Sequence, residues 1–209
     1  MRKYIYLWVA LFCAAVVYSQ EALLMFTIDY KSENNCNAVL LHANEAVTVD
    51  WGNGQQETLS PERNRIVLHH EFSLDKEYIV KIFGAPEAVT GFELFDDTDI
   101  TSVVTGAGCQ IELFHYCYGL SNLDIQSAEK VKELYLGNGN ITSLDLATNP
   151  NLEYLDLYNN PIAKDKKALL AMIESLPDRS GKEPGTLVIN MGDFPRYKAL
   201  CERKNWMLK

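Results

Sequence analysis

Beyond the first twenty residues the chain opens with short runs in which apolar and polar side chains alternate. Leu24-Met25-Phe26-Thr27-Ile28, Ala38-Val39-Leu40-Leu41, Val47-Thr48-Val49, Ile66-Val67-Leu68 and Tyr78-Ile79-Val80-Lys81-Ile82 are rich in β-branched and aromatic residues and are separated by polar turns. A period of two buries one face of a strand and wets the other, so this spacing predicts a small β-sandwich over residues 20–88. Trp51-Gly52-Asn53-Gly54 follows one of these runs and supplies residues that tolerate positive φ, as a tight reversal needs.

From Val89 the pattern becomes a recurring L-x-x-L-x-L unit. It can be followed through Val89/Phe92/Leu94, Ile100/Val103/Thr105, Ile111/Phe114/Tyr116, Leu120/Leu123/Ile125, Val131/Leu134/Leu136, Ile141/Leu144/Leu146 and Leu152/Leu155/Leu157. Alternate units return at 21 residues, from Leu120 to Ile141 and from Val131 to Leu152, a period within the leucine-rich-repeat range. A single unit buries too little to be stable, so neighbours must stack on one continuous core. The copy starting at Leu152 reads L-x-x-L-x-L-x-x-N-x-I through Asn160 and Ile162, and the amide of that Asn is expected to satisfy backbone groups of the turn leaving the strand. The copy starting at Val131 has Gly139 at the Asn position, and those starting at Val89 and Ile111 have Asp97 and Gly119.

The tail predicts a cap. Leu169, Met172, Ile173 and Leu176 fall at i, i+3, i+4 and i+7, so one helical face is apolar and can cover the last repeat until Pro177 stops the helix. A strand over 186–190 extends the sheet, a second short helix is expected over 197–204, and Trp206 is placed beneath it. The whole is therefore mainly β with some α: a small β-sandwich, then a short leucine-rich repeat solenoid over 89–209 with a helical C-terminal cap.

The first nineteen residues stand apart. Arg2-Lys3, the apolar run from Ile5 to Val17 and the small side chains of Val17-Tyr18-Ser19 read as a signal peptide cleaved before Gln20. The run is shorter than the ~20 residues that cross hydrocarbon, which favours a leader over a membrane anchor, with a lipid anchor on Cys13 a lower-ranked alternative. No later stretch is apolar enough to span, so the mature chain is expected to have no membrane span and to be secreted or at the cell surface or in the periplasm. Losing Arg2 and Lys3 takes the formal charge from −9 to −11, which disfavours nucleic acid as a partner. Cys36, Cys109, Cys117 and Cys201 remain, in an even number that leaves disulfides and free thiols both open, and no zinc-ligand spacing joins them to His42, His69, His70 or His115.

Two stretches resemble known families. Val49-Asp50-Trp51-Gly52-Asn53-Gly54, His70-Glu71-Phe72 and Tyr78-Ile79-Val80-Lys81-Ile82 resemble the PKD-like β-sandwich modules of exported proteins, with Asn53 and Phe72 replacing the usual Asp and Tyr. That resemblance implies a spacer or adhesion module. The 21-residue alternation from Ile141 to Pro161, together with the tail segments Ala168–Ile173, Ser175–Arg179, Gly185–Ile189 and Lys204-Asn205-Trp206, resembles the secreted leucine-rich repeat proteins of gut bacteria. It implies a binding role and carries over no catalytic residue.

Strand geometry then proposes a site. If Leu134, Leu136 and their equivalents point inward, the neighbours between them line the concave surface: Glu93, Phe95, Leu113, His115, Cys117, Glu133, Tyr135, Tyr154, Asp156 and Tyr158. Aromatic rings beside carboxylates suit a protein or glycan ligand, whereas the opposite row, with Ser102, Asn122, Ser143 and Asp145, is small and polar. Enzyme signals are thin. Ser127-Ala128-Glu129-Lys130 fits Ser-x-x-Lys without partner motifs, His69-His70 has no nucleophile implied beside it, and Asp96-Asp97-x-Asp99 lacks the glycine and distal glutamate of a calcium loop. No catalytic residue, metal or cofactor is therefore expected. A structural or assembly role at the cell surface and a hydrolase using paired carboxylates stay open as alternatives, and the oligomeric state is not readable.

Overall fold

The computed structural model describes residues 21–29, 38–72, 76–95, 100–115, 119–190 and 194–209. The expected signal peptide, Cys36, Asp96-Asp97-x-Asp99 and Cys117 lie outside these, as does the side chain of Phe95. The protein is mainly β with some α. Its strands are β1 (Leu24–Asp29), β2 (Ala38–Ala43), β3 (Val47–Asp50), β4 (Gln56–Leu59), β5 (Arg65–Leu68), β6 (Glu77–Phe83), β7 (Val89–Phe95), β8 (Ile100–Thr105), β9 (Leu113–His115), β10 (Asn122–Asp124), β11 (Glu133–Tyr135) and β12 (Tyr154–Asp156). Helix α1 (Lys166–Ser175), β13 (Gly185–Val188), α2 (Phe194–Glu202) and β14 (Trp206–Leu208) follow. Alternation alone did not reveal β4, because Gln56-Glu57-Thr58-Leu59 is polar; the ladder to β3 holds it as an edge, and Trp51 Nε1 donates to Glu57 Oε1 at 2.9 Å.

These strands form two sheets, ordered β10-β8-β1-β6-β3-β4 and β14-β13-β12-β11-β9-β7-β2-β5. Strands β7 and β8 change the style of pairing. Each is antiparallel to an earlier strand, β2 and β1 respectively, and parallel to a later one, β9 and β10. Both sheets thus run unbroken past residue 88. In the second sheet Gly91 lies opposite Leu113, Leu113 opposite Glu133, and Glu133 opposite Tyr154, so the chain regains the same position at the spacing of its apolar units. The unit between two such returns goes to the other wall: Asn122 in β10 lies opposite Ser102 in β8.

One buried cluster joins the two walls throughout. Phe26 from the first sheet lies 5.9 Å, ring centre to ring centre, from Phe92 in the second, and Phe92 lies 5.9 Å from Phe114 in the next strand. Leu134, Leu136, Leu155 and Leu157 are fully buried, so the residues between them face out. Helix α1 starts where Asp165 Oδ1 accepts the amides of Lys167 (2.9 Å) and Ala168 (3.0 Å), two of the donors a helix start leaves unmet. It buries Leu169, Met172 and Ile173 and ends at the Leu176 cap before Pro177. Trp206 lies on a strand, β14, with its indole N–H donating to Pro177 O at 2.9 Å.

Turns of the parallel half have exposed tips, but buried side chains beneath them hydrogen-bond their backbone. Asn160 accepts the Ile141 amide on Oδ1 (2.9 Å) and donates Nδ2 to Leu136 O (2.8 Å) and Tyr158 O (3.3 Å). Asn149, at the same place in the unit before, donates Nδ2 to Ile125 O (3.0 Å) and Ala128 O (2.9 Å). Gly139 replaces asparagine for a steric reason. A Cβ there would sit 2.8 Å from Asn160 Oδ1, so the amide of the following copy needs that space. Farther along, buried Arg179 donates to Leu152 O at 2.7 Å and to Glu183 O at 3.0 Å.

Candidate functional site

The outward positions of β2, β7, β9, β11 and β12 form one surface on the second sheet, at the strand spacing of roughly 4.8 Å. His42 donates Nε2–H to Glu93 Oε1 at 2.7 Å, and His115 Nδ1 lies 3.6 Å from the same oxygen. The His115 ring meets Tyr135 edge-on, with centroids 4.5 Å apart and planes at 65°; Tyr135 stacks on Tyr154 at 4.5 Å and 28°. The result is a continuous chain of contacts, His42–Glu93–His115–Tyr135–Tyr154, across five adjacent strands.

Backbone choices make room for it. A Cβ on Gly91 would lie 3.0 Å from the His42 ring, and one on Gly137 would lie 3.2 Å from Asp156 Oδ2. Leu113 is half-buried between Gly91 and Glu133 in the register. Asp156 accepts the Tyr158 amide at 2.8 Å. Tyr158 occupies the turn after β12 and is 51% exposed. Beside that turn, Asn159 donates its amide N–H to Asn190 Oδ1 (2.8 Å) and its Nδ2 to Asn138 Oδ1 (3.2 Å), so amide side chains border the ends of the strands.

The structure therefore brings together Glu93, Leu113, His115, Glu133, Tyr135, Tyr154 and Asp156 on one face and puts Tyr158 at its margin. His42 joins them although the sequence reading did not select it. Its alternation with Val39 and Leu41 is visible in the chain, but the long-range pairing of β2 with β7 is not.

Electrostatics keep the two phenols protonated. Burial, the hydrogen bond to Glu133 and the charge of that carboxylate push the Tyr135 hydroxyl up to about 12. Burial and then the charges of Asp156 and Glu133 raise Tyr154 as well. Strands β2, β7, β9, β11, β12 and β13 contain no Lys or Arg. Arg65 on the edge strand β5 lies opposite His42, and Lys132, just before β11, pairs with Glu112 at 2.7 Å, so carboxylates are in excess around the tyrosines, where Glu133 and Asp156 stand. Because Tyr135 packs against both His115 and Tyr154, its ring is engaged within the row; hydroxyls and carboxylates are its polar groups.

Other candidates have different surroundings. A groove of about 440 Å³ lies on the opposite wall, between β10 with the segment after it and α1, lined by Asn122, Asp124, Gln126, Ser143, Asp145 and Ser175 among others. This is the small polar row. His70 is stacked on Trp51 (4.4 Å, 8°) with Phe72 and Tyr78 beyond, and burial lowers its pKa. Its Nε2 accepts from Asn53 Nδ2 at 2.9 Å, so the ring packs the turn. Cys109 and Cys201 are buried free thiols; burial raises both, Cys201 to about 11, which suppresses the thiolate. Among the described residues no helix is long and apolar enough to cross a membrane, and no three of His, Cys, Asp or Glu are grouped to hold a metal ion. No protein-family model matches the chain, and no curated protein or solved structure matches it.

Proposed function

We propose that this is an exported, non-catalytic binding protein, secreted or held at the cell surface or in the periplasm. In this reading a small PKD-like β-sandwich leads into a short leucine-rich repeat solenoid with a helical cap. The solenoid reading is supported by parallel strands that regain register after 20 to 22 residues, by units alternating between two walls, and by the buried asparagines at the repeat turns. The outward face of the second sheet is the recognition surface for a protein or glycan partner.

The observation that carries this proposal is the five-strand row from His42 to Tyr154. It gathers two tyrosines, two imidazoles and a carboxylate from segments far apart in sequence, on a wall whose inner side already supplies the core. Large amphipathic rings concentrated on one face are the usual anchors of interfaces. Protein and glycan arrays probed with the purified protein should yield a partner. Replacing Tyr135, Tyr154 and Tyr158 with Ala should then weaken its binding at least tenfold. Unchanged binding by that variant removes this face as the site, and turnover in a broad glycosidase and peptidase screen removes the non-catalytic assignment.

A further inference from the structure

Resting on that reading, we infer that the partner presented to the Tyr135–Tyr154 face is a cationic polypeptide segment, held by the carboxylates beside the tyrosine pair.

Three observations lead there. Charge comes first. Around the tyrosine pair, β9, β11, β12 and β13 contribute Glu133 and Asp156 and not one Lys or Arg; the cations bordering the face include Lys132, held by Glu112 at 2.7 Å, and Arg65, on the far edge strand opposite His42, while the protein as a whole carries −9. A patch with an excess of one sign attracts segments of the other and repels anionic glycans, nucleic acid and acidic lipid headgroups. Second, the rings are stacked on one another. Tyr135 has Tyr154 against it at 4.5 Å and His115 edge-on at 4.5 Å, so it is no open platform for a sugar. Third, the Tyr135 hydroxyl spends its one donor on Glu133, so its lone pairs and the remaining carboxylate oxygens form an acceptor-rich set. Guanidinium and ammonium groups are donor-only, which is the complement of such a set.

Glu93 has a different task from the other two. It is 12% exposed and already accepts from His42, so it fixes the base of the row, whereas Glu133 and Asp156 flank the tyrosines. Charge can be removed from those two with little change of shape. Gln at 133 keeps an acceptor for the Tyr135 hydroxyl, and Asn at 156 keeps an oxygen for the Tyr158 amide.

The test is an array of dodecapeptides carrying from none to six Lys or Arg, with acidic peptides and neutral oligosaccharides as the other arms. Binding should rise with positive charge and fall at least tenfold between about 50 and 500 mM salt, where exposed charges become screened. The double variant Glu133→Gln/Asp156→Asn should lose at least tenfold in affinity with an unchanged circular dichroism spectrum. Glu45→Gln/Glu87→Gln, which removes as much charge elsewhere, should bind as the parent does. Peptide binding that is lost in Tyr135→Ala/Tyr154→Ala, yet indifferent to salt and to Glu133→Gln/Asp156→Asn, overturns the cationic partner and leaves the face as the recognition surface. Preference for neutral oligosaccharides also overturns it. Binding by no arm, or binding that none of these substitutions changes, overturns both this inference and the reading beneath it.

Discussion

The antiparallel strands β1 to β6 and the parallel stack β9 to β14 share walls and core but meet the demands of their turns differently. In the antiparallel region the chain reverses at the surface. There Gly52 and Gly54 adopt φ of 73° and 90°, and Asp50 Oδ1 accepts the Gly52 amide at 2.9 Å. In the parallel stack the turns between walls have exposed tips but enclose buried backbone groups, to which the buried side chains of Asn149, Asn160 and Arg179 supply hydrogen bonds. A surface group can rely on water, whereas a buried one is orphaned when its partner is missing. The parallel half is therefore where single polar residues should matter most to stability.

The sharpest check pairs the two asparagines. Asn160→Ala strips the Ile141 amide and Leu136 O of their side-chain partners and should cost about 3 kcal/mol. Asn149→Ala should cost about 1 kcal/mol. Ile125 O and Ala128 O each keep a backbone donor, from Ala128 and Val131, and Asn149 Oδ1 has no partner among the described residues to lose. Urea unfolding midpoints measure both, and equal costs would break the argument that partner count decides.

Next come the glycines of the surface turn, which ask whether the antiparallel half is as forgiving as supposed. At Gly52 a Cβ would lie 2.5 Å from Ile79 O as well as holding a positive φ, so Gly52→Ala should destabilise by about 2 kcal/mol. Gly54→Ala meets open space and bears only the backbone cost, about 1 kcal/mol. Thermal melts that rank Gly54→Ala as the worse variant would show that the backbone angle outweighs the contact.

The smallest effect lies on the tyrosine face. In the folded protein Tyr135 binds its proton more tightly than an unfolded tyrosine does, so its contribution to stability is intact below pH 10 and is lost as pH rises towards 12. Phenolate absorbance should show late titration of Tyr135 and Tyr154, and Glu133→Gln should move the Tyr135 step to lower pH. A Tyr135 step unchanged in Glu133→Gln would leave burial as the sole cause.

Much of the architecture could be read from spacing. The alternating runs correspond to β1, β2, β3, β5 and β6, and the inward and outward assignment of Leu134, Leu136, Leu155 and Leu157 follows from the L-x-x-L-x-L pattern. Asn149 was within reach too, since Ile141-x-x-Leu144-x-Leu146-x-x-Asn149 has the spacing that singled out Asn160. The polar edge β4 and the terminal β14 were less legible, because a short strand held by ladder bonds carries little alternation of its own. Tyr135, Tyr154 and Glu133 could be placed on one face by period alone. His42 could not, because the antiparallel pairing of β2 with β7 links residues about fifty positions apart.

By itself the sequence determined which side chains turn inward, where the chain changes from hairpins to a 21-residue return, and where the closing helix stops. These are local matters of periodicity, turn chemistry and capping, decided within a few residues. Only the tertiary structure decided that the two halves share both sheets, that His42 reaches Glu93, and that Gly139 yields its space to Asn160. Such outcomes depend on contacts between segments distant in the chain, where packing admits one arrangement and local pattern is silent.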